Sequence, residues 1–256
     1  MNQKTLEERL KDEQEFHNDI FESDIRTKEV GRFYLINDAI HEGYENYIFH
    51  SPNDRVYLEY GCGMAKGDRL TRLAEKGARA HGIDISDYAI EQLKEKAKAN
   101  NLDIGYQVMN AEEMNFEDNT FDIIFGTGIL HHLDLSKAYS SISSKLKDDG
   151  AAIFIEPLGH NPLINGFRNK TPDIRTEDEH PLLMEDFKSA GEYFDKIEIK
   201  YYYLTTLAVP VLFKKNPPGF LIRFCNGLDK VIFKLLPFMR KYAWQVLIKF
   251  SQPKLN

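Results

Sequence analysis

Glu59, Gly61 and Gly63 stand within five residues of one another, and Asp84 follows Glu59 by 25 residues. The two glycines break the apolar run Val56, Tyr57, Leu58, which reads as a buried strand. Bare backbone at such a turn lets a ligand approach the chain closely. Leu70, Leu73 and Ala74 recur at helical spacing, so the order is strand, glycine turn, helix. Asp84 closes the next strand, where a carboxylate can accept both hydroxyls of a ribose.

A second group could move protons. His131, His132, Glu156, His160 and Asn161 fall where the carboxyl ends of parallel strands would gather them. A hydroxyl that attacks an electrophile needs a base, and histidine suits that work at neutral pH. His131 and His132 read as opening a helix, so they cannot share one face, and one of them packs or caps. Glu156 either meets the substrate or bonds loop amides. The loops from Glu156 to Leu163 and from Arg175 to Pro181 read as the reaction mouth. His180 is expected to be solvated or structural, and His17 to lie on the surface or pack.

These residues need a scaffold. Residues 5–30 and 31–47 read as two helices, the first anchored by Phe16, Ile20 and Phe21, and together they are expected to cover the ligand mouth. Ser86 or Asp87 caps a helix that reaches about Asn100. Further strands are expected at 104–108, 121–125, 151–155, 196–204 and 244–250. Helices are expected through Tyr139–Leu146, ending at Asp149-Gly150, and over 184–194. Alternating strands and helices imply a doubly wound, mostly parallel α/β sheet.

Glu59-x-Gly61-x-Gly63 resembles motif I of the class I S-adenosylmethionine-dependent methyltransferases. The third glycine of that motif would be residue 65, which is Ala65. A dinucleotide fingerprint would instead need glycine at Lys66, with Gly67 one place late, so a nicotinamide dehydrogenase is disfavoured. Phe121 to Leu133 looks like the fourth-strand motif of the broad ubiquinone- and menaquinone-type group. The resemblance implies S-adenosylmethionine as cofactor, with Glu59, Gly61, Cys62 and Gly63 in its loop. It implies Asp84 on the ribose, Ile85 beside the adenine, and Asn110, Ala111 and Glu112 at the adenine edge. Gly126 and Thr127 would meet the methionine end. It also implies seven strands in the order 3-2-1-4-5-7-6. A nucleic-acid amino-methyltransferase would show Asn/Asp-Pro-Pro-aromatic after the fourth strand, where this chain reads Gly126-Thr-Gly-Ile129, so no nucleic acid is expected. The acceptor implied is a small or lipid-like molecule: a hydroxyl of a natural-product, glycan or isoprenoid-lipid intermediate. The other reading is a cofactor-binding protein without catalysis, and nothing in the sequence sets an oligomeric state.

The chain has 256 residues, 42% hydrophobic and 29% charged, ordinary for a globular protein. Residues 1–50 are expected to form the helical cover and 51–256 the methyltransferase domain. No secretory signal or 18-residue apolar run appears, so a cytoplasmic protein is expected. Cys62 and Cys225 make no disulfide framework, and no metal-ligand spacing is present. The net charge of −7 divides into +8 on residues 214–256 and −15 on residues 1–213, which argues for a surface with its own partner. Residues 205–242 form an insertion between strands six and seven, too long for a hairpin loop. Within it, Phe220, Leu221, Phe224, Leu228, Val231, Ile232, Leu235 and Leu236 recur near helical period, ending at Pro237, beside Arg223, Lys230 and Lys234. The expectation is a lid over an apolar acceptor. The alternative is peripheral membrane contact through residues 218–236.

Overall fold

The computed structural model describes residues 6–23, 33–64, 68–171, 180–213 and 216–254. Seven strands form one sheet: β1 (Val56–Tyr60), β2 (Arg79–Asp84), β3 (Ile104–Val108), β4 (Phe121–Thr127), β5 (Leu146–Pro157), β6 (Phe194–Tyr202) and β7 (Gln245–Pro253). Their order is β3-β2-β1-β4-β5-β7-β6, as the resemblance implied. All neighbours pair in parallel except β7, which runs antiparallel to both β5 and β6.

Helices α1 (Leu6–Ser23) and α2 (Asp38–Ile48) precede the sheet. Next come α3 (Arg69–Ala74), α4 (Asp87–Ala99), α5 (Leu135–Lys145) and α6 (Pro162–Arg168). Three more follow: α7 (Asp186–Ser189), α8 (Ala208–Leu212) and α9 (Gly219–Leu235). The Ser86 hydroxyl caps α4 by accepting Ala89 N–H at 3.0 Å.

β1 is buried throughout, because both faces of the sheet are covered. Tyr57 packs with Ile40, Tyr44 and Leu70 from α2 and α3. Val56, Leu58 and Tyr60 join the opposite layer with Phe154, Tyr139 and Phe250. Phe154 is fully buried, its ring 5.8 Å from Tyr60 and 6.3 Å from Phe250. Truncating such a ring costs about 3–5 kcal/mol, so Phe154→Ala alone threatens the fold.

Several boundaries differ from expectation. α5 stops at Lys145 and β5 begins at once at Leu146. Gly150 is not a helix stop; it lies in β5 at a register shift between Phe121 and Ile123. A Cβ there would come within 2.9 Å of Lys147 O and 3.0 Å of Phe121 O, so crowding demands the glycine. The expected helix over 184–194 shrinks to α7 and a 3-10 turn, Ala190–Glu192. Ala65, Lys66, Gly67, the Ile20 side chain and residues 172–179 lie outside what is described.

The lid expectation is overturned. Phe224, Leu228 and Leu235 face solvent and line neither of the cavities described below. α9 is held in that roll by Asp229. Its carboxylate accepts Leu204 N–H at 2.9 Å, Thr205 N–H at 2.7 Å and the Thr206 hydroxyl at 2.7 Å.

Candidate active site

The glycine turn and the end of β2 form one floor. Gly61 has φ +69°, a left-handed conformation, and a Cβ on it would meet Ile129 at 2.8 Å. Gly63 N–H donates to Asp84 Oδ2 at 2.7 Å and Ser86 N–H to Oδ1 at 2.9 Å. Burial pushes the Asp84 carboxyl up, and these N–H groups pull it back. Burial holds Cys62 as the thiol, which suits packing within the turn.

Above this floor opens a cavity of about 860 Å³. Its wall includes Glu59, Gly61, Cys62, Gly63, Asp84, Ile85, Asn110, Ala111, Glu112 and Thr127. Ten of the eleven expected cofactor residues are thus brought together. Gly126 is the exception: it lies beneath the wall, where a Cβ would come within 2.6 Å of Tyr60 O. Glu59 Oε2 is buried without a hydrogen-bond partner. Burial raises the Glu59 carboxyl to about 7, while Arg69 Nη1, 3.9 Å from Oε1, pulls it down. Asn110 Oδ1 already accepts Glu112 N–H at 3.0 Å. Glu112 Oε1 accepts Asp134 N–H at 2.9 Å and Arg9 Nη2 at 2.5 Å, so this residue also ties α1 to the body.

α1 supplies Arg9, Leu10, Glu13, His17 and Phe21 to the cavity. His17 therefore faces the site, contrary to the surface or packing role expected of it. Glu13, His17 and His132 each offer a ligand atom within 4.8 Å of the others, a grouping that spacing along the chain does not show.

A second cavity, about 190 Å³, adjoins the first through Tyr34, His41, Thr127 and Gly128, which line both. Phe33, Phe167 and Trp244 give it aromatic walls, the Phe33 ring lying 5.1 Å from Phe167 and 5.9 Å from Trp244. Asn37 Oδ1 and Gln245 Oε1, both on lining residues, are buried without hydrogen-bond partners.

His131 belongs to this second cavity and His132 to the first. They share a 3-10 turn, Leu130–His132, rather than opening a helix, and both are buried. His131 Nδ1 lies 2.7 Å from Glu156 Oε2. Glu156 Oε1 accepts the N–H groups of Ile129 and Leu130, each at 2.9 Å. Burial pushes the Glu156 carboxyl up to about 7, against the pull of these donors. His160 lines neither cavity; its Nε2 accepts Met184 N–H at 3.3 Å. Asn161 caps α6, accepting Leu163 N–H at 3.0 Å. His180 N–H donates to His131 O at 3.0 Å.

Arg69, His41, Asn37, Trp244 and Gln245 were not singled out by sequence. Arg69 carried a signal, a cation just behind the glycine turn. The others read only as helix or strand positions.

Residues 58–154 match the methyltransferase domain family. Phosphoethanolamine N-methyltransferase 2 of Caenorhabditis elegans is 33% identical over 104 residues, 39% of this chain and 23% of that one. The ubiquinone biosynthesis O-methyltransferase of Rhizobium etli is 30% identical over 102 residues, 40% of each chain. The chain thus spans less than half the length of both. Among solved structures, Haemonchus contortus phosphoethanolamine N-methyltransferase 2 in complex with S-adenosyl-L-methionine superposes with a TM-score of 0.62 at 18% identity. That match covers 93% of this chain and 60% of the other. The domain match, the strand order and this shared fold agree: residues 58–154 match a methyltransferase domain, within a sheet that has the fold of a solved S-adenosyl-L-methionine-bound methyltransferase.

Proposed function

We propose that this chain moves a methyl group from S-adenosylmethionine to a hydroxyl of a small molecule seated in the second cavity, with His131 as base. The observation that carries this reading is the His131–Glu156 pair, with His131 in the wall of a cavity that joins the first at Thr127 and Gly128 and Glu156 buried behind it.

The first cavity fits the cofactor. Asp84 sits at the end of β2, where a ribose would find its acceptor. Glu59 and Arg69 present an anion and a cation 3.9 Å apart, the pair an amino acid's ammonium and carboxylate require. The unpartnered Glu59 Oε2 suits a cationic donor. When bound, the sulfonium supplies an activated methyl group and departs as a neutral thioether.

The protein aligns the acceptor and accepts its proton. Glu156 accepts a hydrogen bond from the Nδ1–H of His131, which keeps the proton on Nδ1 and the lone pair of the neutral ring on Nε2. As the acceptor oxygen gains its methyl group, its proton passes to Nε2, and the Glu156 carboxylate stabilises the imidazolium. The two backbone N–H groups on Oε1 hold that carboxylate in place. The unpartnered oxygens of Asn37 and Gln245 favour an acceptor that brings several hydroxyl donors, and the aromatic walls favour one with a flat or apolar face.

The test is turnover with labelled cofactor and fractionated hydroxylated small molecules. Release of S-adenosylhomocysteine with the label on oxygen is the expected result. Tight cofactor binding with no turnover on any hydroxylated pool would leave a binding protein without catalysis. Label on nitrogen or carbon would refute the hydroxyl acceptor.

A further inference from the structure

We propose that the outward face of α9 docks the protein on an anionic lipid bilayer. At 100° per residue, Phe220, Phe224, Leu228, Val231 and Leu235 fall within one sector of roughly 80°. All five are exposed, between 40% and 70%. Phe238, just beyond the helix, is 66% exposed and extends the apolar surface. Isolated exposed apolar residues are ordinary, but an aligned row of them marks an interaction site.

The roll of the helix is fixed from behind. Asp229 and Phe233 occupy the opposite face and are buried. The Asp229 carboxylate takes N–H and hydroxyl donors from Leu204, Thr205 and Thr206, residues just past β6. Turning the apolar row inward would break these bonds and turn Asp229 and Phe233 out to solvent. The row is thus held outward by the same residues that attach the helix.

Charge selects the partner. Arg223, Lys230 and Lys234 are exposed beside the row, and Asp229, the one acid in α9, is buried. The water-facing surface of α9 is therefore cationic. A second copy docking face to face would set two segments of +8 against each other. An anionic headgroup layer meets both features, accepting the apolar side chains at the acyl boundary and the cations among its phosphates. Among the described residues no helix is long and apolar enough to cross a membrane, so α9 would lie in the plane of the interface. This inference does not depend on which acceptor the second cavity takes.

The experiment is co-sedimentation of the full chain with vesicles of phosphatidylcholine alone or with added phosphatidylglycerol. Binding is expected to the anionic vesicles only, and to weaken as salt rises from about 0.05 to about 0.5 M. Phe224→Glu with Leu235→Glu should abolish it. Lys230→Glu with Lys234→Glu, both at exposed positions, should lower partition at least ~tenfold even if the first pair folds poorly. Thermal melting and cofactor binding should stay at wild-type values in the charge variant. No binding to either vesicle, or equal binding to both, overturns the proposal. So does a dimer in sedimentation velocity, without vesicles, that these substitutions dissolve.

Discussion

His131 Nδ1, in the wall of the second cavity, and Glu156 Oε2 lie 2.7 Å apart, although 25 residues separate them in the chain. The pair forms because β4 and β5 are adjacent parallel strands, with Thr127 beside Ile155 in register. The turn after β4 and the end of β5 therefore meet at one edge of the sheet.

His131→Ala should lower kcat by ~10²–10⁴, with cofactor affinity near wild type by calorimetry. Glu156→Gln is the sharper test, because the amide turns an N–H toward Nδ1. That would move the ring's proton to Nε2 and remove the base without removing the ring. The expected loss is of similar size, with a flattened pH profile. If Glu156→Gln keeps full turnover and the wild-type profile, Glu156 does not position a base.

Asp84→Ala should weaken S-adenosylmethionine at least about tenfold, since hydrogen bonds to a charged group contribute about 1.5–3 kcal/mol each. Wild-type affinity in a folded variant would remove Asp84 from the ribose.

Cofactor affinity should also depend on pH through Glu59. Its carboxyl is raised to about 7 by burial, and a cationic partner beside it favours the ionised form. Binding should therefore release a proton. Affinity should rise with pH up to about 7 and level off above it, with a limiting slope near one log unit per pH unit. Titration calorimetry in buffers of different ionisation enthalpy would show that proton directly. Flat affinity between about pH 6 and 8 would mean that Glu59 does not meet the cofactor's ammonium.

Asp229→Ala should destabilise the fold. It strips the acceptor from Leu204 and Thr205 N–H and the Thr206 hydroxyl, and a buried donor left unpaired costs about 1–3 kcal/mol. A fall in Tm of several degrees is expected, at roughly 2–4 °C per kcal/mol for a chain of this size. Asp229→Asn keeps an acceptor and should cost less. An unchanged Tm in the alanine variant would mean that the latch is not needed.

The sheet order came with the family resemblance, and the glycine turn and Asp84 were legible because their signals are local. Glu59, Gly61 and Gly63 mark a turn by spacing, and Asp84 marks the next strand end at a fixed distance. α9 was legible only in part. Periodicity showed that Phe224, Leu228 and Leu235 share a face, but not which way that face turns. The direction is set by Asp229 and the threonines at 205 and 206, bonds across 23 and 24 residues that hydropathy does not carry. The second cavity was illegible for a similar reason. Asn37 lies just before α2, whereas Trp244 and Gln245 come more than 200 residues later. Each looks unremarkable alone, and only the fold sets them side by side.

β7 follows the whole insertion in the chain yet lies between β5 and β6. A ribosome therefore releases β5 and β6 with a strand-wide gap between them. Until residues 245–253 emerge, two edges with unpaired backbone groups are open to any passing strand. The half of the site built on the glycine turn is complete long before that. The half walled by Trp244 and Gln245 is closed only when β7 slots in. During synthesis the protein therefore gains its glycine-turn cavity first and its aromatic-walled cavity last, and a chaperone that shields the gap would guard both the sheet and the second cavity.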